Sequence, residues 1–124
     1  MLTKSRPWTN LVATHEHYWI YLDGFPVTQG HLLYVPKDLN DVSIALSAAY
    51  NQGNAWLAEG TVDGFNVGMN CGEAAGQTID WPHVHLIPRM TGDVEDPTGG
   101  IRGVISTQQN YHSDDYVKPS NTGQ

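Results

Sequence analysis

Cysteine is nearly absent from this sequence. Cys71 is the only one in 124 residues, which excludes an internal disulfide and any zinc site built on paired cysteines. A single thiol fits a reducing, cytoplasmic setting. Basic residues are also scarce: six Lys and Arg stand against thirteen Asp and Glu, for a formal net charge of −7. Nucleic-acid binders carry a basic surface, and this chain has none to spare, so no nucleic-acid partner is expected. Long apolar runs are missing too. No segment approaches the ~20 apolar residues of a membrane span, so no membrane association is expected. The opening MLTKSRPWTN lacks the apolar stretch of a secretory signal. Repeats and low-complexity tracts are likewise missing. What is present is a chain of single-domain length, 40% hydrophobic, able to bury a core without disulfide or metal. Its acidic balance repels anions at long range. Any phosphate site must therefore be a focused pocket of local donors: backbone N–H groups, histidines, Lys37, Arg89 or Arg102.

Strand signals dominate the pattern. LVATHEHYWIYL (11–22) is rich in β-branched and aromatic residues and reads as one or two strands. Asp23-Gly24-Phe25-Pro26 is turn chemistry, and HLLYVP (31–36) is a short apolar run ended by Pro36. One substantial helix is predicted over 42–57, with Val42, Leu46, Ala49, Gly53 and Trp56 as its apolar stripe. Gly53 weakens that helix by about 1 kcal/mol relative to alanine. FNVGMN (65–70) and HVHLIP (83–88) read as strands, NCGEAAGQT (70–78) as a small-residue loop and IRGVI (101–105) as a short strand. From about Tyr111 the chain is polar and reads as a tail or an interface arm. The links are too short for successive parallel crossovers, so an α+β fold is expected, with a mainly antiparallel sheet of about five strands and one principal helix. The domain is expected over 1–111, with the tail over 112–124.

His83-Val84-His85 is the main candidate for chemistry. On a strand, side chains at i and i+2 share a face, placing two imidazoles side by side with Cα atoms about 7 Å apart. Such a pair can bind a metal, divide nucleophile and acid roles, or sit buried and satisfied. The preceding loop from Asn70 to Thr78 offers small residues, backbone amides and a hydroxyl to a phosphate. It contains no Gly-Lys-Ser/Thr, which argues against a P-loop. His15-Glu16-His17 reads as surface. Asp93, Glu95 and Asp96 read as a solvated turn with an affinity for Mg²⁺ as the minor alternative. Cys71 has no adjacent base, and His112 lies in the tail. Trp8, Trp19 and Trp56 read as core or interface aromatics, whereas Trp81 is positioned to reshape a pocket.

The string N-x-G-x-x-x-G-Q-T-I followed by H-V-H-L-I-P-R resembles the signature of the histidine-triad (HIT) superfamily. DGFPVTQGHLLYVPK (23–37), DGFNVGMN (63–70) and GDVEDPTGGIRGVI (92–105) resemble its small bacterial, diadenosine tetraphosphate hydrolase-like members. The likeness runs in matching order over roughly 10–111. One departure stands out. The family's three alternating histidine positions fall at 81, 83 and 85, and the first holds Trp81. The middle position, His83, is the family's nucleophile.

The resemblance implies a nucleotide hydrolase or transferase. His83 would attack the α-phosphorus of a dinucleoside polyphosphate or nucleoside phosphoramidate and form a covalent nucleotidyl-histidine that water resolves. It further implies His85 and the Gln77–Thr78 region as donors to the phosphoryl oxygens, with Gln77 near the leaving group. Asn70 and Gly76 would lie at the nucleotide, His31 beside the nucleophile, and Asp23 on the ribose hydroxyls. No cofactor is required on this reading, Mg²⁺ entering only with a polyphosphate, and the chain pairs two-fold with itself by joining sheets. Two rival readings follow from the residues. One is a nucleotide-binding protein with little turnover because of Trp81. The other is a metal-binding domain using His83, His85 and Asp80 or His31.

Overall fold

A computed structural model describes residues 6–120. The chain divides into two compact units, residues 1–93 and 94–124. The first holds five strands and one long helix: β1 (Leu11–Thr14), β2 (Tyr18–Leu22), β3 (Leu32–Pro36), α1 (Val42–Glu59), β4 (Gly64–Gly68) and β5 (Val84–Arg89). The strands form one sheet in the order β1-β2-β3-β5-β4, with every neighbouring pair antiparallel. The expected α+β architecture is therefore the observed one. The run 11–22 resolves into two strands because His15 N–H donates to Tyr18 O at 2.9 Å and turns the chain back.

Alternation along β5 positions the site. Val84 and Leu86 are fully buried on one face, with Ile20 of β2 and Tyr34 of β3, and pack with Ala45 and Ala49 of α1. His85 therefore points to the opposite face, which the helix does not cover. The ladder between β3 and β5 starts at Tyr34 opposite Val84, leaving Trp81, Pro82 and His83 outside the paired strand. Pro82 has no N–H to donate, which accounts for the unpaired end there.

The helix buries Ala49 and Gly53 of the predicted stripe and packs Trp56 on the core, but buries Ala45 in place of Leu46. Ala45, Ala49 and Gly53 are its buried residues, while Leu46 is exposed. Small residues let α1 lie close on the sheet. A Cβ on Gly53 would stand 2.4 Å from the Phe65 ring of β4. Gly53→Ala is therefore expected to lower the melting temperature, although alanine is the better helix former. Overpacking costs about 1–3 kcal/mol, against about 1 kcal/mol of helix propensity gained. A thermal melt in which Gly53→Ala is more stable than the parent would contradict this packing.

The second unit differs from its sequence-based expectation at IRGVI, which is not a strand. Gly100–Val104 form a 3₁₀ helix, entered through Gly99 at φ 88°. A side chain at Gly99 would overlap the carbonyl of Gln109, so this tight turn admits only glycine. Arg102 donates to the Gln108 and Gln109 carbonyls and so closes the unit on itself. Of the polar tail expected over 112–124, residues 121–124 lie outside the described residues. Residues 112–120 carry no helix or strand but are hydrogen-bonded, with Val117 N–H donating to Gln108 Oε1 at 3.2 Å.

Candidate active site

A cavity of about 430 Å³ opens on the uncovered face of the first unit. Asp23, Asn70, Gly76, Thr78, His83 and His85 line it, with Trp8, Phe25 and Leu33. Six of the eight residues singled out from the sequence thus meet in one cavity of ordinary small-ligand size. His31 is the seventh. It lies behind His85, 3% exposed, rather than in the wall. Gln77 is the eighth, and its polar atoms brace the loop. Its Oε1 accepts from Gly72 N–H at 2.7 Å, and its Nε2 donates to the carbonyls of Ile79 and Asp80. That bracing shapes the turn carrying Gly76 and Thr78.

Hydrogen bonds determine the tautomers of all three imidazoles. His83 Nδ1 lies 2.9 Å from the Trp81 carbonyl, which can only accept, so Nδ1 carries the proton and Nε2 keeps its lone pair. His31 Nδ1 faces the Val27 N–H at 3.2 Å, which can only donate, so the His31 proton sits on Nε2. That Nε2 lies 2.9 Å from His85 Nδ1 and donates to it. His85 is thereby left with its proton on Nε2. Adjacent rings of this face thus present one lone pair and one N–H. Their centroids are 5.3 Å apart.

Asp23 completes the network. Its Oδ1 accepts from Phe25 N–H at 2.8 Å, and its Oδ2 stands 3.4 Å from His31 Nε2 and 3.9 Å from His85 Nδ1. Burial lowers the His31 pKa, opposed by the Asp23 charge. Burial first, then His31 and His83, push His85 down to about 4, again opposed by Asp23. Both are neutral at neutral pH, as the tautomer chain requires.

This has a consequence for stability. The folded His85 pKa lies below the ordinary value of 6.5, so between about 6.5 and about 4 the unfolded chain binds more protons than the folded one. Stability is retained above that window and is lost as the pH falls through it. Melting temperatures measured across the window are expected to fall with acidification, and to fall less steeply in His85→Asn. Equal slopes would remove His85 as the cause.

Asp23, His31 and His85 also offer ligand atoms within 4.8 Å of one another, the spacing of a metal site. The Val27 N–H opposes that use. A metal on His31 Nε2 would require the proton on Nδ1, facing another N–H. Neither His83 nor Asp80 belongs to this group. The acidic turn is committed locally: Asp93 pairs with Arg89, and Asp96 accepts from Thr98 N–H and Asn110. His17 pairs at the surface with Asp41 and Glu16, and Cys71 is exposed.

Trp81 is turned away from the cavity. Its Nε1 donates to the Pro36 carbonyl at 2.8 Å, and the Arg6 guanidinium covers its ring. Sequence reasoning missed Trp8, whose ring lies 5.0 Å from that of His83. Periodicity cannot find such a contact, because the two residues are far apart in the chain and Trp8 precedes the first strand.

Comparison with known proteins identifies the family. The chain is 34% identical over 115 residues to the protein hit of Bacillus subtilis, covering 85% of this chain and 72% of that one. It is 33% identical over 93 residues to an AP-4-A phosphorylase of Mycobacterium tuberculosis, covering 67% of this chain and 48% of the phosphorylase, so it spans about half of that relative's length. Among solved structures, a HIT family protein from Bacillus anthracis superposes with a TM-score of 0.57 at 36% identity, covering 68% of this chain and 66% of the other. A zinc-bound histidine triad family protein from Mycobacterium smegmatis gives 0.55 at 35%, covering 69% of each. The HIT domain model matches residues 6–92, the span that builds the sheet, the helix and the cavity, and this chain belongs to the histidine-triad family.

Proposed function

We propose that the protein is a nucleotide hydrolase or nucleotidyl transferase with His83 as its nucleophile. The observation that carries this reading is the fixed tautomer of His83, whose Nδ1 proton is held by the Trp81 carbonyl so that the Nε2 lone pair is available. Nε2 attacks the α-phosphorus, the bond to the leaving oxygen or nitrogen breaks, and its electron pair goes to the leaving group. The His85 Nε2–H donates a hydrogen bond to the phosphoryl oxygens or to the leaving atom, which takes its proton from solvent. Water then attacks phosphorus and gives its proton to solvent, the P–N bond breaks and His83 regains its lone pair.

Asn70, Gly76 and Thr78 supply further donors at the phosphate, and the Asp23 carboxylate takes the ribose hydroxyls. Gln77 holds the loop toward the leaving group through its backbone bonds. The relative named AP-4-A phosphorylase favours a dinucleoside polyphosphate as substrate, with a nucleoside phosphoramidate as the second class. Mg²⁺ would enter with the polyphosphate. Two-fold self-association by joining sheets is part of this reading, supported by the edge strands β1 and β4. A second reading, a nucleotide-binding protein with little turnover, is favoured by one observation: Trp81 supplies no imidazole.

Purified protein incubated with diadenosine tetraphosphate and with adenosine 5′-phosphoramidate, with and without chelator, separates these readings. AMP release from the phosphoramidate that survives chelation is the expected result. Binding of AMP without any product supports the second reading. Loss of activity with chelator would point to a metal at Asp23, His31 and His85, zinc being the ion bound in the Mycobacterium smegmatis relative.

A further inference from the structure

We infer that Trp8 is a positioning residue for the nucleophile, acting through the face of its indole on the charge that His83 acquires when it bonds to phosphorus. The inference rests on the reading of His83 as the nucleophile. The Trp8 and His83 ring centroids are 5.0 Å apart, with the planes tilted by 53°. Trp8 is itself packed on Tyr21, at 6.1 Å, and both Trp8 and His83 line the cavity.

Charge balance during the reaction gives this contact its meaning. As a nucleophile His83 must react as the neutral imidazole, with its proton on Nδ1 toward the Trp81 carbonyl. When Nε2 donates its lone pair to phosphorus, that proton stays on Nδ1, so the ring becomes an N-phosphorylated imidazolium with one positive charge. No carboxylate lies within ion-pair distance of His83 among the described residues, the Asp23 carboxylate standing beside His31 and His85 instead, 3.4 and 3.9 Å away. The groups that meet the new charge are the Trp81 carbonyl at Nδ1 and the Trp8 ring, 5.0 Å away between centroids and tilted by 53°. An indole face attracts a cation within about 6 Å, and more strongly where water is excluded. His83 is only 8% exposed. The attraction is weak for the neutral ring and strong for the charged one, so it favours the transition state and the intermediate over the resting enzyme.

The same contact answers the departure at Trp81. With no imidazole at that position, and with the Trp81 ring held on the Pro36 carbonyl, the aromatic neighbour of the nucleophile is supplied by the segment before β1.

The test compares Trp8→Phe, Trp8→Leu and the parent protein, each confirmed folded by its melting curve. Leucine keeps apolar bulk and loses the π-face, while phenylalanine keeps a π-face. On adenosine 5′-phosphoramidate, Trp8→Leu is expected to lose about fivefold to thirtyfold in kcat, with KM changed far less and with Trp8→Phe recovering most of the loss. Equal kcat in the Leu and Phe variants, or a loss confined to KM, would overturn the inference and show a packing or binding role. A parallel experiment on the parent protein separates this from the underlying reading. A substrate with a chiral thiophosphoryl group, hydrolysed in isotopically labelled water, is expected to give retention at phosphorus, the result of two displacements through His83. Inversion would mean direct attack by water, and both the nucleophile and the role of Trp8 would fall. Retention with indistinguishable Leu and Phe variants would remove Trp8 alone.

Discussion

Replacing His83 by asparagine is expected to abolish nucleotide turnover, by about 10⁴-fold or more, while leaving AMP binding nearly intact. Removal of a covalent nucleophile costs on this scale because the remaining donors cannot supply a second route of comparable barrier. Binding should survive because the cavity wall is spread over many other residues: Asp23, Asn70, Gly76, Thr78 and Leu33 remain in place. Asparagine is the appropriate replacement, since its side-chain amide can occupy the place of Nδ1–H and keep the bond to the Trp81 carbonyl. Calorimetric titration with AMP, beside a turnover assay, measures both quantities on one preparation. A variant that still turns over at a tenth of the parent rate would rule out His83 as the nucleophile. Loss of AMP affinity together with activity would show that the substitution had collapsed the pocket.

The second large effect is expected at a residue that does not line the cavity. His31 fixes the His85 proton on Nε2 only because its own Nε2 donates to His85 Nδ1, and it does so only because Val27 N–H occupies its Nδ1. His31→Phe removes the donor, freeing His85 to carry its proton on either nitrogen and to turn its lone pair toward the phosphate. Loss of one preorganised donor typically costs about 10²–10³-fold in kcat, and a loss of at least about 10² is expected here. His31→Gln restores an N–H near the position of Nε2 and should recover a clear part of that loss. Matched pre-steady-state rates for the two variants, at a pH where both are folded, provide the measurement. If the Phe and Gln variants are equally slow, His31 acts by packing and the tautomer chain has no kinetic role.

Much of the fold was legible in the chain. Period-two alternation in HVHLIP separates Val84 and Leu86 from His85, and that separation decides which face of β5 meets the helix and which meets solvent. The strand character of 11–22 and the long helix after Asp41 follow from local residue types, whereas the turn that splits 11–22 into two strands is not read from them. Prediction failed where local pattern and tertiary packing diverged. Leu46 belongs to an apolar stripe by spacing yet is exposed, because the sheet selects the small Ala45, Ala49 and Gly53 for close approach. IRGVI carries strand-forming residues, but Gly99 and Gly100 at positive φ start a 3₁₀ turn before it.

By itself, the sequence determined the α+β class, the strand bearing the two histidines and the small-residue loop before it. These are carried by residue type and spacing within short windows, where side-chain alternation and backbone preference act locally. Only the tertiary structure decided which nitrogen of each imidazole is protonated. That choice depends on the Trp81 carbonyl and the Val27 N–H, backbone groups that every sequence has and whose placement no spacing reveals. It also placed Trp8 on His83, turned Trp81 away toward Pro36 and gave the polar atoms of Gln77 to the loop. Each of these is a contact in space, set by how the strands and loops close on one another rather than by any local preference of the chain.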